Sequence, residues 1–241
     1  MSAWDKESFF KIHADLPREG PGETADVAWA AEVADLPSGA RICDAGSGPG
    51  GDIGALLRAA DGGHVTAIDA HAPFIDAAQA RWGADKRVDL VAGDYTEITG
   101  PFDFIWSAGA VYFHGIAELL PIWRPALAEG GAIAFSEPCL FKPGPASDVV
   151  KAIWSDYPRL TDADGIAAQV RLAGFETLAT RKLSDVAWQS YHGPMEARIA
   201  ALRPGADTRM HAALDEAEAE IAAWRANRAE TGYLLSVVRP L

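Results

Sequence analysis

The fold is decided by the stretch Arg41-Ile42-Cys43-Asp44-Ala45-Gly46-Ser47-Gly48-Pro49-Gly50-Gly51-Asp52. Its pattern predicts a short apolar strand with an acid at its end, then a tight turn, then a helix. Glycine has no Cβ, so the backbone of Gly46, Gly48 and Gly50 can turn sharply and approach a ligand closely. The helix after the turn directs its free N–H groups toward whatever the turn binds. The stretch therefore predicts a ligand site at the end of the first strand.

The glycines of this turn fit two different fingerprints. Gly46, Gly48 and Gly51 have the G-x-G-x-x-G spacing of a dinucleotide site. The same turn also reads D-x-G-x-G-x-G, with its acid at Asp44 and its last glycine at Gly50. The turn alone fits both patterns, so the rest of the chain has to decide between them.

Strands and helices alternate from residue 40 onward, which predicts an α/β fold. The predicted strands cover residues 41–45, 64–68, 88–92, 102–107, 132–136, 175–183 and 232–238. The helices between the first five strands are predicted over 51–60, 73–82 and 116–128. The strands are short apolar runs, as expected where helices cover both faces of a sheet. We therefore expect a Rossmann-like, seven-stranded, mostly parallel sheet with helices on both faces.

The chain on either side of this core predicts helical additions. Helices over 2–16 and 23–36, joined by the Pro- and Gly-rich loop 16–22, form either a plain cap or a lid over the ligand. Helices over 161–173, 194–202 and 206–229 follow the fifth strand, and the last two form an insertion between the final strands. The apolar stripe of the last helix fits either internal packing or a dimer seam; it comprises Met210, Leu214, Ala217, Ile221 and Trp224.

We expect one domain over residues 1–241. Residues 1–38 are its helical cap or lid, and residues 39–140 are the cofactor-binding core. Residues 141–241 contribute the substrate side, with the helical insertion at about 184–230 and the final strand.

Acids end the first three predicted strands. Asp44, Asp69 and Asp94 follow one another at steps of 25 residues. Each could simply cap the next helix. Because ligands of open α/β sheets bind at the carboxyl ends of the strands, three acids in register beside a glycine turn favour a ligand site.

Two cofactor classes remain to be separated. Asp69 would serve the ribose of either a dinucleotide or S-adenosylmethionine (SAM). Asp44 would repel a pyrophosphate but attract a sulfonium ligand with a free amino group. Gly93-Asp94-Tyr95 suits an adenine amino group and ring, and the tail lacks a second βαβαβ half for a nicotinamide. These features favour SAM.

The chain resembles the class I SAM-dependent methyltransferases. The resemblance is carried by four segments, which look like motifs I to IV: Asp44–Gly50, Val65–Asp69, Gly93–Tyr95 and Phe102–Ser107. It extends to the small-molecule branch with a type 11 or type 25 methyltransferase core through the segments at Phe9–Gly22, Trp106–Tyr112, Ser136-Glu137 and Trp188–Met195.

The resemblance implies roles for the cofactor-binding residues. The backbone of Gly46, Ser47, Gly48 and Gly50 would hold the methionine part of SAM, with Asp44 at its amino group. Asp69 would take both ribose hydroxyls. The adenine would lie against Ala70 and His71, with Asp94 at its amino group and Tyr95 nearby. Ser107 would lie near the sulfonium, and Arg18 and Gly20 would close the site.

The candidates for chemistry follow later strands. Tyr112, His114 and Glu137 are expected to face the site, and His114 and Glu137 are the leading candidates for a general base. Trp188, Tyr191 and His192 in the insertion are candidates for binding the substrate. Each could equally be a helix cap, a satisfied hydrogen-bond partner or a pocket wall. Related proteins usually carry an acid after the strand-four serine, where this chain has Ala108.

Composition restricts the partners. The formal net charge of −13 would repel a phosphodiester backbone, so no nucleic acid is expected. Two cysteines, both beside predicted buried strands, favour a reducing cytoplasm, and we expect no signal peptide, membrane span or metal site.

The sequence predicts a SAM-dependent methyltransferase that methylates a small molecule by in-line displacement and releases S-adenosylhomocysteine (SAH). An NAD(P)-dependent oxidoreductase and a non-catalytic SAM-binding protein remain the alternatives. The chain is expected to act as a monomer or homodimer.

Overall fold

The structure is a computed structural model that describes residues 6–142, 144–157 and 159–241. The first residues of the predicted N-terminal helix and cap lie outside the described residues, as do Pro143 and Pro158.

The strands form one sheet. Their bounds are β1 Arg41–Ala45, β2 His64–Asp69, β3 Val88–Ala92, β4 Phe102–Ala108, β5 Leu127–Leu140, β6 Thr161–Asp162, β7 Phe175–Lys182 and β8 Thr231–Pro240. Their order is β3-β2-β1-β4-β5-β8-β7, and the two-residue strand β6 pairs with β5 off this path. The seven predicted strands are confirmed, and β6 is an addition to them.

The sheet is mostly parallel, as predicted. Strands β3, β2, β1, β4 and β5 pair in parallel, whereas β8 is antiparallel to both β5 and β7. The chain leaves β1 toward β2 and β3, then returns to the other side of β1 as β4. The carboxyl ends of β1 and β4 therefore border the crevice in which open α/β sheets bind ligands.

Nine α-helices lie in the described part of the chain. Their bounds are α1 Lys6–His13, α2 Thr24–Val33, α3 Ile53–Ala59, α4 Ala72–Trp82, α5 Ile116–Trp123, α6 Asp148–Ile153, α7 Ala163–Leu172, α8 Asp185–Leu202 and α9 Thr208–Asn227. Several begin where sequence rules expect: Ser184 and Asp207 accept hydrogen bonds from the backbone N–H three residues on and so cap α8 and α9.

The apolar core lies on both faces of the sheet. Alternate residues of β1 separate between the two sides: Ile42 joins the cluster under α2 and α3, and Cys43 joins the cluster under α5 and α7. A third cluster joins α1, α8 and α9 beyond the sheet. The helices on both faces are thus confirmed.

The predicted helix over 116–128 is wrong at its end. The helix α5 ends at Trp123, a short 3₁₀ turn follows over Arg124–Ala126, and β5 begins at Leu127. Pro125 has no N–H to extend the helical hydrogen bonds. The strand β5 is also longer than predicted, because Leu127 pairs with Phe102 of β4 at one end and β8 pairs with β5 as far as Leu140 at the other.

The predicted start of the first insertion helix at 194 is also wrong. Helix α8 starts at Asp185 and runs through Gly193 and Pro194. Its buried positions Trp188, His192, Met195 and Ile199 continue as one stripe across the proline. Burial of that stripe outweighs the loss of one helical hydrogen bond at Pro194.

The apolar stripe of α9 packs inside the chain. Met210, Leu214, Ala217 and Ile221 join one cluster with Ile12 of α1 and with α8. Trp224 packs with Trp188 in the core beside the sheet. Of the two readings of this stripe, the structure supports internal packing. Within the described residues, no helix is long and apolar enough to cross a membrane.

Replacing Leu214 by alanine tests this packing. Leu214 is 0% exposed, so Leu214→Ala is expected to lower the free energy of unfolding by ~2–5 kcal/mol through lost burial and a residual cavity. Leu172 of α7 is 82% exposed, and Leu172→Ala should change it by less than ~0.5 kcal/mol. Urea denaturation measures both, and equal losses would contradict the packing described.

Candidate functional site

The glycine turn is fixed to the end of β2. The N–H groups of Gly46 and Ser47 donate to the carbonyl of Ile68 at 2.9 and 3.0 Å. The carboxylate of Asp69 accepts from the N–H of Gly48 and from that of His71, both at 2.8 Å. Gly46 has a φ of +77°, and a Cβ there would come within 2.6 Å of the Ala110 Cβ. This position therefore requires glycine.

A cavity of about 380 Å³ opens over this turn, and we call it the turn cavity. It lies at the carboxyl ends of β1, β2 and β4, and α1 and the loop 18–20 cover it. Its lining comprises Phe9, Phe10, Arg18, Glu19, Gly20, Asp44, Gly46, Ser47, Gly48, Gly51, Asp52, Asp69, Ala70, His71, Phe74, Tyr95, Ala108, Gly109, Ala110, Tyr112 and Phe113.

Asp44 lines the turn cavity beside the glycine turn. Its side chain is buried, and its Oδ2 has no hydrogen-bond partner among the described residues. Burial raises the pKa of Asp44 well above its usual value, and the nearby carboxylates of Asp52 and Asp69 raise it further, while Arg18 opposes them. A buried carboxylate without a partner is costly, so this site favours a ligand with a cationic donor.

Arg18 pins the loop after α1 over the turn cavity. Its Nη2 donates to both oxygens of Asp52, at 3.1 and 3.2 Å, while its Nε and Nη1 donate to the carbonyls of Gly20 and Gly22, each at 2.6 Å. The indole N–H of Trp106 donates to the same Asp52 carboxylate at 3.1 Å. The loop is thereby tied to the start of α3.

Aromatic contacts hold α1 against the same cavity. The ring of Phe10 stacks on His71 with centroids 4.0 Å apart and an angle of 6° between the planes. His71 in turn meets the edge of Phe74 at 4.5 Å. Together with the Arg18 contacts, this stack makes the N-terminal segment a cover for the turn cavity.

A second cavity of about 670 Å³ lies beneath α6, α8 and α9, and we call it the helix cavity. Its lining comprises Phe9, His13, Glu19, Gly20, Pro21, Tyr112, Pro138, Val149, Ala152, Ile153, Trp154, Ser155, Asp156, Tyr157, Trp188, Tyr191, His192, Met195, Glu216, Ala217, Ala219, Glu220, Ile221, Ala223, Trp224 and Tyr233. This volume is in the range that holds a small organic molecule.

The two cavities share part of their walls. Phe9, Glu19, Gly20 and Tyr112 line both of them. We call these four residues the junction. A molecule in the helix cavity can therefore meet a ligand of the turn cavity at Tyr112, under cover of α1 and the loop after it.

A buried acid lies behind the wall of the helix cavity. Glu137 is 0% exposed; its Oε1 accepts a hydrogen bond from the Tyr157 hydroxyl, and its Oε2 has no partner in the described part of the chain. Burial raises the pKa of Glu137 to about 7, although the Tyr157 hydrogen bond and the charge of Arg159 act in the opposite direction. The Tyr157 ring lies 6.0 Å from that of Tyr112. This pair can therefore take up a proton near the junction at neutral pH.

The structure brings most of the predicted site residues together. The turn cavity is lined by Arg18, Gly20, Asp44, Gly46, Ser47, Gly48, Asp69, Ala70, His71, Tyr95 and Tyr112. The helix cavity is lined by Trp188, Tyr191, His192 and again Tyr112. The roles of these residues remain predictions.

Five predicted site residues lie outside both linings. They are Gly50, Asp94, Ser107, His114 and Glu137.

Each of these five has another local contact. Asp94 accepts from the N–H and hydroxyl of Thr96, both at 2.8 Å, and so caps a 3₁₀ turn. The Ser107 hydroxyl donates to the carbonyl of Ala45 at 2.8 Å, and the carbonyl of Gly50 accepts from the Trp82 indole at 3.2 Å. His114 packs edge-on against the Tyr95 ring at 5.5 Å. Asp94 thus forms a cap, which is the alternative role predicted for it from the sequence.

Sequence reasoning missed several lining residues. They include Asp52, Tyr157, Glu216, Glu220, Trp224 and Tyr233. The spacing of Glu216 and Glu220 is visible in the sequence, because they lie one helical turn apart beside the apolar stripe of α9. Nothing in the sequence linked Tyr157 to Glu137. No cluster of three or more His, Cys, Asp or Glu suited to a metal occurs among the residues that the structure describes.

Comparison with known proteins identifies a domain within this chain. Residues 42–131 match a family model described as a methyltransferase domain. The trans-aconitate 2-methyltransferase of Streptomyces avermitilis is 32% identical over 145 residues, which make up 57% of this chain and 52% of that relative. The match thus spans about half the length of the relative.

Solved structures share the fold along nearly the whole chain. A SAM-dependent methyltransferase from Geobacter sulfurreducens has a TM-score of 0.81 at 19% identity, covering 98% of this chain and 99% of that chain. One from Thiobacillus denitrificans has a TM-score of 0.79 at 21% identity, covering 99% of both chains. Both were solved in complex with SAH.

The stability of the protein is expected to depend on pH through Glu137. Its pKa is about 7 in the folded protein against an ordinary 4.5, so between these values the folded protein holds a proton that the unfolded chain releases. The free energy of unfolding therefore falls as the pH rises from 4.5 to 7. Glu137→Gln removes this contribution, so its stability relative to wild type should rise by ~3 kcal/mol over that interval.

Urea denaturation at pH 4.5, 6 and 7.5 measures this difference. Glu129→Gln is the matched control, because Glu129 lies on the same strand and is exposed. An equal pH dependence of the two variants would contradict the raised pKa of Glu137.

Proposed function

The chain carries a methyltransferase domain on the class I methyltransferase fold, and we propose that it transfers the methyl group of SAM to a small-molecule acceptor. The turn cavity would hold SAM and the helix cavity the acceptor. The observation that carries the proposal is the buried, unpartnered carboxylate of Asp44 beside the glycine turn, joined through Tyr112 to a second cavity of suitable size.

The residues of the turn cavity fit SAM. The amino group of its methionine part is a cationic donor that would satisfy the Asp44 oxygen left without a partner. Asp69 already accepts two backbone N–H groups, and each of its oxygens retains capacity to accept from a ribose hydroxyl. Ala70 and His71 would flank the adenine. When bound, SAM supplies a methyl group activated by its sulfonium.

A dinucleotide fits this chain less well. Its pyrophosphate would meet the buried Asp44 at the turn, where like charges repel. The sheet also ends in the antiparallel strands β8 and β7, so among the described residues there is no second βαβαβ half for a nicotinamide. An oxidoreductase is therefore the weaker candidate.

Transfer would take place at the junction. Methyl transfer from SAM is an in-line displacement, so the protein contributes mainly by aligning the acceptor and excluding water. The loop held by Arg18 covers the turn cavity, while Tyr112 borders both cavities and so lies where the two ligands would meet.

The pair of Tyr157 and Glu137 would accept a proton where the acceptor loses one. The acceptor's proton passes to the Tyr157 oxygen while the Tyr157 proton moves to Glu137 Oε1. The step leaves Tyr157 neutral and Glu137 protonated. A pKa of about 7 allows Glu137 to act as this base at neutral pH. The role predicted for Glu137 is thus exerted through Tyr157.

The acceptor named for the Streptomyces avermitilis relative fits the helix cavity of this chain poorly. Its name gives trans-aconitate, a molecule with three carboxylates. The helix cavity is itself lined by Glu19, Asp156, Glu216 and Glu220, which would repel such an acceptor.

We further propose that the chain works as one domain and as a monomer in the cytoplasm. The core over 39–140 would hold SAM, and residues 141–241 with α1 would hold the acceptor. The apolar stripe of α9 is already covered within the chain, which leaves it unavailable as a dimer seam. Two unpaired, buried cysteines are consistent with a reducing compartment.

Asp69→Asn tests the turn cavity. It removes the charge from the contacts with the ribose, so the affinity for SAH is expected to fall by ~10–100-fold. Asp164→Asn is the control, because Asp164 is an exposed acid on α7. Isothermal titration measures both.

Thermal-shift measurements with SAH, SAM, NAD and NADP accompany this experiment. Stabilisation by NAD but not by SAH would overturn the methyltransferase assignment. Unchanged SAH affinity in Asp69→Asn would remove Asp69 from the site.

Tyr157→Phe tests the proton relay. Turnover of labelled SAM, measured on the first acceptor found in a metabolite panel, is expected to fall ~10²–10⁴-fold while the affinity for SAH stays unchanged. The wild-type rate should rise with pH to a plateau above about 7, as Glu137 loses its proton, and the variant should lose this rise.

The matched control is Tyr233→Phe, since Tyr233 lines the same cavity but, unlike Tyr157, makes no hydrogen bond to Glu137 in the described part of the chain. A rate profile of Tyr157→Phe that matches this control would exclude the relay. Absence of turnover on every acceptor, with SAH bound tightly, would favour a non-catalytic SAM-binding protein.

A further inference from the structure

The helix cavity has an unbalanced charge. Four carboxylate side chains line it: Glu19, Asp156, Glu216 and Glu220. No lysine or arginine is among its lining residues in the described part of the chain. Its two histidines are His13, which lies 2.5 Å from Glu19, and His192. The cavity therefore attracts a cation and repels an anion.

Two of these acids project from one face of α9. Glu216 and Glu220 are one helical turn apart, and neither forms an ion pair with another described side chain. Glu216 is half-buried, whereas Glu220 lines the cavity at a position exposed to solvent. Between them on the helix, Glu218 points away from the cavity and pairs with Arg203 at 3.0 Å. The pair facing the cavity thus retains a charge that a ligand can neutralise.

Aromatic rings form much of the remaining wall. The rings of Trp188 and Trp224 stack at 4.1 Å, and Tyr233 meets Trp188 at 5.4 Å and Trp154 at 5.7 Å. Phe9, Tyr112, Tyr157 and Tyr191 add four more rings. Aromatic faces bind aromatic ligands by stacking and bind ammonium groups by cation–π attraction.

His192 supplies an independent indication of a ligand. It lines the cavity and is 4% exposed, and its Nδ1 has no hydrogen-bond partner among the described residues. Burial lowers the pKa of His192 to about 4, and the charge of Arg225 lowers it further, so the imidazole is neutral at pH 7. The Trp224 indole N–H is likewise buried without a partner. Buried polar groups of this kind are normally satisfied, and a bound molecule would satisfy them.

We propose that the acceptor is a cationic amine with an aromatic body. The inference rests on the proposed function, because it assigns the helix cavity to the acceptor. The ring lies among the tryptophans and tyrosines, and the ammonium group is held by Glu216 and Glu220. The atom that is methylated is a separate group of the same molecule, which reaches the junction at Tyr112.

Three probes of similar size separate charge from shape. They are 2-phenylethylamine, 2-phenylethanol and 3-phenylpropionate, which carry a cationic, a neutral and an anionic group on the same ring. Each is titrated calorimetrically at pH 7.5 into the protein saturated with SAH. The amine is expected to bind at least ~10-fold more tightly than the alcohol, and the acid most weakly, with the difference shrinking as salt is added.

The double variant Glu216→Gln, Glu220→Gln locates the charge. It should weaken binding of the amine by at least ~10-fold and leave binding of the alcohol within about twofold, because the shape of the cavity is kept while the two charges are lost. Glu218→Gln is the matched control on the same helix and should change neither. Circular dichroism and urea denaturation check that all variants are folded.

The outcomes separate this inference from the function beneath it. If SAH binds and the acid binds as tightly as the amine, the acceptor class is wrong and the function stands. Equal loss of amine and alcohol in the double variant, or no amine binding up to 10 mM, also overturns the acceptor class. If SAH does not bind, the proposed function fails. An amine preference that depends on the two glutamates would then still support binding of a cation in the helix cavity.

Discussion

Three carboxylates crowd the carboxyl edge of this sheet, and the rest of the site is arranged around their charge. Asp44 and Asp52 are buried, and Asp69 lies beside them. Burial raises the pKa of Asp44, and the charges of Asp52 and Asp69 raise it further. The guanidinium of Arg18 offsets part of this charge through Asp52, and the backbone of the glycine turn offsets another part through Asp69. The Asp44 oxygen that remains unpaired makes the turn cavity ready for a cationic donor.

This arrangement couples the turn cavity and the helix cavity through one segment. Arg18 reaches into the turn cavity, whereas Glu19 and Gly20, its immediate neighbours, line both cavities. The contact with Asp52 that covers the turn cavity therefore also shapes the mouth of the helix cavity. Since Phe10 stacks on His71 in the turn cavity while Ile12 packs against α8 and α9, helix α1 bridges the two sites. Binding in one cavity can in this way stabilise the cover of the other.

Local sequence rules predicted the sheet well and failed where packing overruled them. The strand ends at Asp44 and Asp69 were predictable because their apolar runs, terminal acids and glycine turn are all local signals. The predicted helix begins at residue 194, yet α8 starts at Asp185 and runs through Pro194 because its buried stripe continues. The full length of β5 could not be predicted from local signals either, since it depends in part on pairing with β8, about a hundred residues later. Asp94 carries the same signal as Asp44 and Asp69 and caps a 3₁₀ turn, and its contact with the adenine stays a prediction.

The sequence by itself determined the turn cavity, because its main groups lie within a few residues of strand ends whose order follows from right-handed crossovers. The proposed class of cofactor follows from the same local signals. Only the tertiary structure decided the helix cavity, whose walls come from α1, α6, α8, α9 and β8. The pairing of Tyr157 with Glu137 and the convergence of Glu216 and Glu220 with seven tryptophan and tyrosine side chains depend on how those elements pack. Periodicity fixes which face of a helix is buried, but not which distant face it meets.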